Sequence, residues 1–210
     1  ESHNRGLTYG AGTQLAERLN ELGWKTLVTP VQLQTSGPVA SPDTSDTPAA
    51  PFENSARSWL DPAATQQQIL QLYRALLTYS ADTPGYTLVI CQGLTAAQLF
   101  TLSDNTAFNP PDALVSIAPF WPDRSHNLAI VTNMASTAYP VLDIGLPGYN
   151  AWADSTREQR ADKAETKLKL HYRQRNRDML QLTATSRDDT IPFVRYLSGE
   201  IYGWLTYLGW

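Results

Sequence analysis

The run Tyr86-Thr87-Leu88-Val89-Ile90-Cys91-Gln92-Gly93-Leu94-Thr95-Ala96-Ala97-Gln98 has the composition of a buried strand, a sharp turn and a helix start. A turn of that kind, with small residues two before and two after its tip, holds a serine, cysteine or aspartate out for attack on a carbonyl. On that pattern Cys91 and Thr95 fill the two small positions and Gly93 stands at the tip. Glycine has no side chain and attacks nothing. The chain has the scaffold of covalent catalysis without its nucleophile.

The remaining members of such a site are equally sparse. The acid and the base follow the nucleophile along the chain in that order. Tyr139-Pro140-Val141-Leu142-Asp143-Ile144 reads as a strand ending in a carboxylate, so Asp143 fits the acid; its other reading is a turn cap before Gly145. The one histidine after it is His171, inside the basic stretch Leu170-His171-Tyr172-Arg173-Gln174. The base is expected instead in the loop before the last helix, and Ser186-Arg187-Asp188-Asp189-Thr190 holds no histidine. Cys91 is a second candidate nucleophile, but a thiol at the end of an apolar strand is ordinarily inert packing. In an open α/β sheet ligands sit at the carboxyl ends of the strands. That places Gln92, Gly93, Leu94, Trp121 and Asp143 on the expected pocket edge. His3, His126 and His171 are far apart and match no metal-ligand spacing, and Gly10-Ala11-Gly12 lacks the strand and third glycine of a dinucleotide fingerprint. No metal and no cofactor is expected.

The elements that must position these residues alternate in type. Helices are expected over Thr13–Leu22, over 61–79 behind an Asp61-Pro62 start, from Thr95 to Leu102 with Thr95 and Gln98 as a capping box, over 124–135 and over 155–170. A last helix starts near Thr190, with Ile191, Val194, Leu197, Ile201, Trp204 and Leu208 as its apolar stripe and Gly199 and Gly203 open to a close neighbour. Strands are expected over 24–29, 86–91, 113–118 and 139–144, and within 178–183. The fold class that follows is α/β, a doubly wound, mainly parallel sheet in a single domain over residues 1–210.

Composition narrows the function classes. The chain has 210 residues, 42% hydrophobic and 17% charged, with a net charge of −4. No apolar run approaches the roughly 20 residues that span a bilayer. Residues 34–58 carry Pro38, Pro42, Pro48 and Pro51 among Ser, Thr and Ala, which reads as a long surface loop or a lid. From Arg157 to Arg177 there are eight Lys or Arg against three Asp or Glu. That stretch is a solvated helix face, with pairs such as Glu165–Lys169, or it faces an anionic partner. Only Tyr172 is near it to stack on a base, so no nucleic-acid partner is expected. Cys91 is the single cysteine, which rules out an internal disulfide.

Four short segments, in order along nearly the whole chain, carry a family resemblance: Leu22-Gly23-Trp24-Lys25-Thr26-Leu27, Pro140-Val141-Leu142-Asp143-Ile144, Tyr172-Arg173-Gln174 and Ile201-Tyr202-Gly203-Trp204-Leu205. In these the chain resembles a bacterial family of uncharacterised α/β-hydrolase-like proteins, known only as a domain of unknown function. The resemblance implies an α/β-hydrolase fold and a bacterial, often exported protein of the cell envelope or periplasm. It implies no established substrate, and it makes a glycine-rich elbow without serine a family trait. Ser2-His3-Asn4-Arg5-Gly6 resembles a remnant of the His-Gly pair that helps form an oxyanion hole, which implies a strand upstream of residue 1. The expected function is non-catalytic binding of a small molecule or protein at the former active-site edge. The alternatives are an esterase- or thioesterase-class hydrolase with an atypical nucleophile, and an envelope protein whose cleft is filled.

Overall fold

A computed structural model of the chain describes residues 7–33, 60–178 and 190–210, excluding the side chains of Thr190 and Ile191. The Pro- and Ser-rich loop, Ser2–Gly6, the loop 186–189 and most of the strand expected within 178–183 lie outside the described residues.

The elements are α1 (Tyr9–Glu21), α2 (Pro62–Ser80), β1 (Leu88–Gln92), α3 (Gly93–Thr101), β2 (Ala113–Ile117), α4 (Arg124–Ser136), β3 (Val141–Gly145), α5 (Ala151–Thr166), β4 (Tyr172–Asn176) and α6 (Thr190–Leu208). The four strands form one all-parallel sheet in the order β1-β2-β3-β4. Parallel neighbours need crossovers, and α3, α4 and α5 supply them.

Alternation along each strand builds two cores. Ala113, Val115, Ile117, Leu142 and Ile144 face one way and pack with Leu15 and Leu19 of α1 and Val194, Leu197, Ile201 and Trp204 of α6. Cys91, Leu114 and Val141 face the other way and pack with Ile69 and Tyr73 of α2, Phe100 of α3 and Ile130 and Met134 of α4. Both faces of the sheet are covered, which is why β1, β2 and β3 read as largely apolar runs. Strands β2 and β3 are buried at every position.

The local signals explain the ends. Asp61 caps α2 by accepting from Ala63 and Ala64 N–H, with Pro62 in the first turn. Asp123 and Asn150 cap α4 and α5 in the same way. Helices α1 and α6 stop in glycines of positive φ, Gly23 (+90°) and Gly209 (+88°). Each is followed by a tryptophan N–H that reaches back to the helix, Trp24 to Leu19 and Trp210 to Leu205.

Several expectations are corrected. Trp24–Thr29 is not a strand: it has no ladder partner and lies along α1, with Val28 against Gly12 and Thr26 bonded to Asn20. No capping box forms at Thr95, because α3 begins at Gly93 and the Gln98 side chain accepts instead from Thr101. Helix α5 ends at Thr166, so Glu165 and Lys169 are not one helical turn apart; Lys169 donates to Thr137 and Tyr139 instead. A Cβ on Gly199 or Gly203 meets nothing within 4 Å, so neither glycine serves a close approach. The fourth strand is the basic segment Tyr172–Asn176 itself.

Among the described residues no helix is long and apolar enough to cross a membrane. Truncating Leu197, which is 0% exposed in the α1–α6 layer, is expected to cost about 2–5 kcal/mol. Urea unfolding of Leu197→Ala, with an unchanged slope and a lower midpoint, checks this layer.

Candidate functional site

The strand-to-helix turn stands where the sequence places it. Gln92 ends β1, and Gly93 opens α3 with φ of +60°. That left-handed conformation is easy for glycine and strained for other residues. A Cβ built on Gly93 would lie 3.2 Å from the Phe120 ring, the one non-adjacent side chain within 4 Å among the described residues. Ala118, just past the end of β2, also has a positive φ, at 43°. Ala118 is thus the strained residue on this edge, while Leu168 (+50°) and His171 (+58°) carry positive φ at the other end of the sheet.

The other pocket-edge residues separate into those that reach this edge and those that do not. Gln92 reaches it: its side-chain oxygen accepts from Leu7 N–H and one amide N–H donates to the Tyr149 hydroxyl. Leu94 is half-buried against the α2–α4 core. Trp121 is 4% exposed in the same core, and its N–H donates to Asn127 Oδ1 at 3.0 Å. Asn127 is held in turn by Trp152 O and Ser155 Oγ, which ties α4 to α5. On this end of the molecule, a groove of about 210 Å³ runs between the first turns of α4 and α5. Arg124, Leu128, Trp152, Ser155 and Gln159 line it.

Asp143 does not reach the edge. The sequence reading ends its strand at the carboxylate, but β3 runs Val141–Gly145 and Asp143 is its middle residue. It pairs with Ser116 of β2 on one side and Gln174 of β4 on the other. Its carboxylate is 0% exposed and meets Arg160 of α5, also 0% exposed, with Nε at 2.9 Å and Nη2 at 3.5 Å. The Tyr172 hydroxyl and Gln174 Nε2 each donate to it at 3.0 Å. Burial, and then the adjacent carboxylate, push the Tyr172 hydroxyl far up, so it stays a donor. Arg160 places its other donor on Thr156 Oγ1 and Ala153 O. Asp143 is held by Arg160, Tyr172 and Gln174 and bonds no imidazole among the described residues, so its role here is structural.

The two remaining candidates fail on position. His171 stands at the start of β4, its carbonyl accepting from Val141 N–H. That is the amino edge, opposite Gly93. Cys91 is buried, its nearest partner is Val115 O at 3.9 Å, and burial alone drives its thiol pKa far up. His3 lies outside the described residues.

One constellation escaped the sequence reading. At the start of α4, Asp123 Oδ1 accepts from Ser125 Oγ at 2.6 Å and lies 2.8 Å from His126 Nδ1. The Ser125 hydroxyl, then the His126 N–H, hold the Asp123 carboxyl far below its usual range. The sequence signal, Asp123-Arg124-Ser125-His126, stands at the start of the helix expected over 124–135. Serine and histidine share one carboxylate oxygen here and sit 3.5 Å apart, so the histidine is not poised on the serine. Among the described residues no three His, Cys, Asp or Glu side chains gather as a metal site.

No family model, no curated protein and no solved structure matches this chain.

Two outcomes follow. The folded protein should resist iodoacetamide at about pH 8, and unfolding in urea should label Cys91 fully. Gly93→Ala should lose about 1–2 kcal/mol from backbone strain, plus the displacement of Phe120, in chemical denaturation.

Proposed function

We propose that this protein is a non-catalytic α/β-hydrolase-like protein that binds a small molecule or a protein at the edge where hydrolases of that fold keep their active site. The observation that carries the reading is Gly93: a strand–helix turn at φ +60° beneath Phe120, with no side chain at its tip. The parallel order β1-β2-β3-β4, with a helix behind each of the first three strands, supports the fold comparison. Asp143 is spent on Arg160, Cys91 is buried and His171 is on the far edge, so a general base and a nucleophile do not meet. What remains at the edge is binding chemistry: the Gln92 amide, the Tyr149 hydroxyl and the groove beside Arg124 and Trp152.

A second reading, hydrolysis by an atypical nucleophile, has one observation in its favour, the Asp123–His126 pair beside Ser125. A panel of aryl esters and thioesters, run with a fluorophosphonate and an iodoacetamide probe, separates the two. Binding without catalysis predicts no burst, no turnover above the rate of a His126→Ala control and no labelled serine. A labelled Ser125 with turnover lost in His126→Ala overturns it. Gly93→Ser should give no turnover either, since a hydroxyl there needs a base within about 3 Å. It should also lower stability by about 1–2 kcal/mol.

A further inference from the structure

The groove at the start of α4 and α5 shows what kind of molecule the carboxyl end would take, and the inference rests on the binding role proposed for that end. Helices that follow neighbouring parallel strands begin side by side at the carboxyl ends of those strands, where ligands of such sheets sit. Here α4 follows β2 and α5 follows β3. Their first turns are locked together by hydrogen bonds. Asn127, 2% exposed, accepts from Trp121 N–H and donates to Trp152 O and Ser155 Oγ. Ser155 Oγ donates in turn to Trp152 O at 2.8 Å. Thr156, also 2% exposed, accepts from Arg160 Nη1, and Arg160 is fixed on Asp143. The floor of the groove therefore hangs from the buried ion pair, and it is held in place before any ligand arrives.

The rim is different. The Arg124 and Gln159 side chains line the groove and make no hydrogen bond or ion pair among the described residues. Leu128, 43% exposed, and Trp152, half-buried, add two apolar surfaces. The lining thus offers one uncommitted guanidinium, one uncommitted amide and no carboxylate. The acids nearby are engaged elsewhere. Asp123 holds the Ser125 and His126 N–H groups, Asp154 holds Arg157 and Gly148 N–H, and Glu158 lies 4.0 Å from Arg157. Asp162, one turn past Gln159, is exposed outside the lining. One guanidinium is matched by one negative charge, and its fork suits the two oxygens of a carboxylate. The volume of about 210 Å³ falls below the roughly 300 Å³ at which pockets for drug-sized ligands begin, so the body it covers is about one ring.

We propose that this groove binds a small monocarboxylate with an apolar body of one ring, its carboxylate on Arg124 and its ring against Leu128 and Trp152. Gln159 donates to the same carboxylate. Asn127 and Thr156 form the floor, and Arg160 is a positioning residue that acts through Thr156.

The test is a titration of the full chain with benzoate and with its neutral counterpart benzamide, followed by proton–nitrogen NMR. Benzoate should shift the Trp152 indole and the amides of Arg124, Leu128 and Gln159, saturating with a Kd on the order of 1 mM. Benzamide should bind at least about tenfold more weakly, because it lacks the charge-assisted bonds. Arg124→Gln should weaken benzoate about tenfold and leave benzamide unchanged. Leu128→Ser should weaken both. Arg124 and Leu128 are exposed, so both variants should unfold at the wild-type urea midpoint. Absence of a saturable shift with benzoate overturns the proposal. So does benzamide binding as tightly as benzoate, or benzoate binding unchanged in Arg124→Gln. Shifts confined to Leu7, Gln92, Gly93 and Tyr149 overturn it too, but leave the Gly93 edge its binding role; that role falls instead to ester turnover lost in His126→Ala.

Discussion

A carboxylate and a guanidinium, both fully removed from water in the layer between β3 and α5, set the terms for the rest of this structure. An uncompensated charge in that place costs several kcal/mol, so Asp143 and Arg160 must find each other for the layer to close. Tyr172 and Gln174, two apart on β4, complete the shell around the carboxylate. Their alternation fixes the register of the last strand. A slip by one residue would turn Arg173 or Arg175 onto Asp143 and send Tyr172 and Gln174 to the other face. Helix α5 is held the same way, since Arg160 also bonds Thr156 and Ala153 one and two turns back. An apolar edge strand could slide; this polar one cannot.

That pair also decides what the carboxyl edge can do. The acid that catalysis needs is drawn down into the sheet, two residues below the edge. What is left above is a strand–helix turn at Gly93, with positive φ and the Phe120 ring beside it. Gln92, the last residue of β1, bonds the chain before α1 and the chain before α5. Gln92 thus ties three segments together at this edge by hydrogen bonds. The amino edge differs: Leu168, Leu170, Tyr86 and Tyr207 are exposed there, while Trp24 and Trp210 pack partly on the core.

Much of this was legible in the sequence where local chemistry dominates. Asp61-Pro62 fixed the start of α2, and the apolar runs at 88–92, 113–117 and 141–145 are strands because both faces of the sheet are covered. The sharp turn between strand and helix at Gly93 was legible because glycine readily takes the positive φ found there. Asp143 was misplaced for a non-local reason: a carboxylate near a strand end looks like an edge residue until its partner is known. That partner had a signal. Ala153, Thr156, Arg160 and Ala164 follow helical spacing, and the three small residues mark a buried face with an arginine in it. Strand β4 was missed because Tyr172-Arg173-Gln174-Arg175-Asn176 is polar, and its β character comes only from pairing with β3. The segment 24–29 failed in the opposite sense, since it has strand composition but packs along α1, with Val28 against Gly12 and Thr26 bonded to Asn20.

The central claim is that the carboxylate best placed in sequence to serve catalysis is structural. A double-mutant cycle on Asp143→Leu and Arg160→Met, read by urea denaturation, tests it most directly. Each single change leaves one buried charge without its partner and should cost about 3–5 kcal/mol, whereas the double variant should recover much of that loss, giving a coupling of about 2 kcal/mol or more. Costs that simply add, or an Asp143→Leu variant as stable as the wild type, would contradict the account and return Asp143 to the list of groups free to do chemistry.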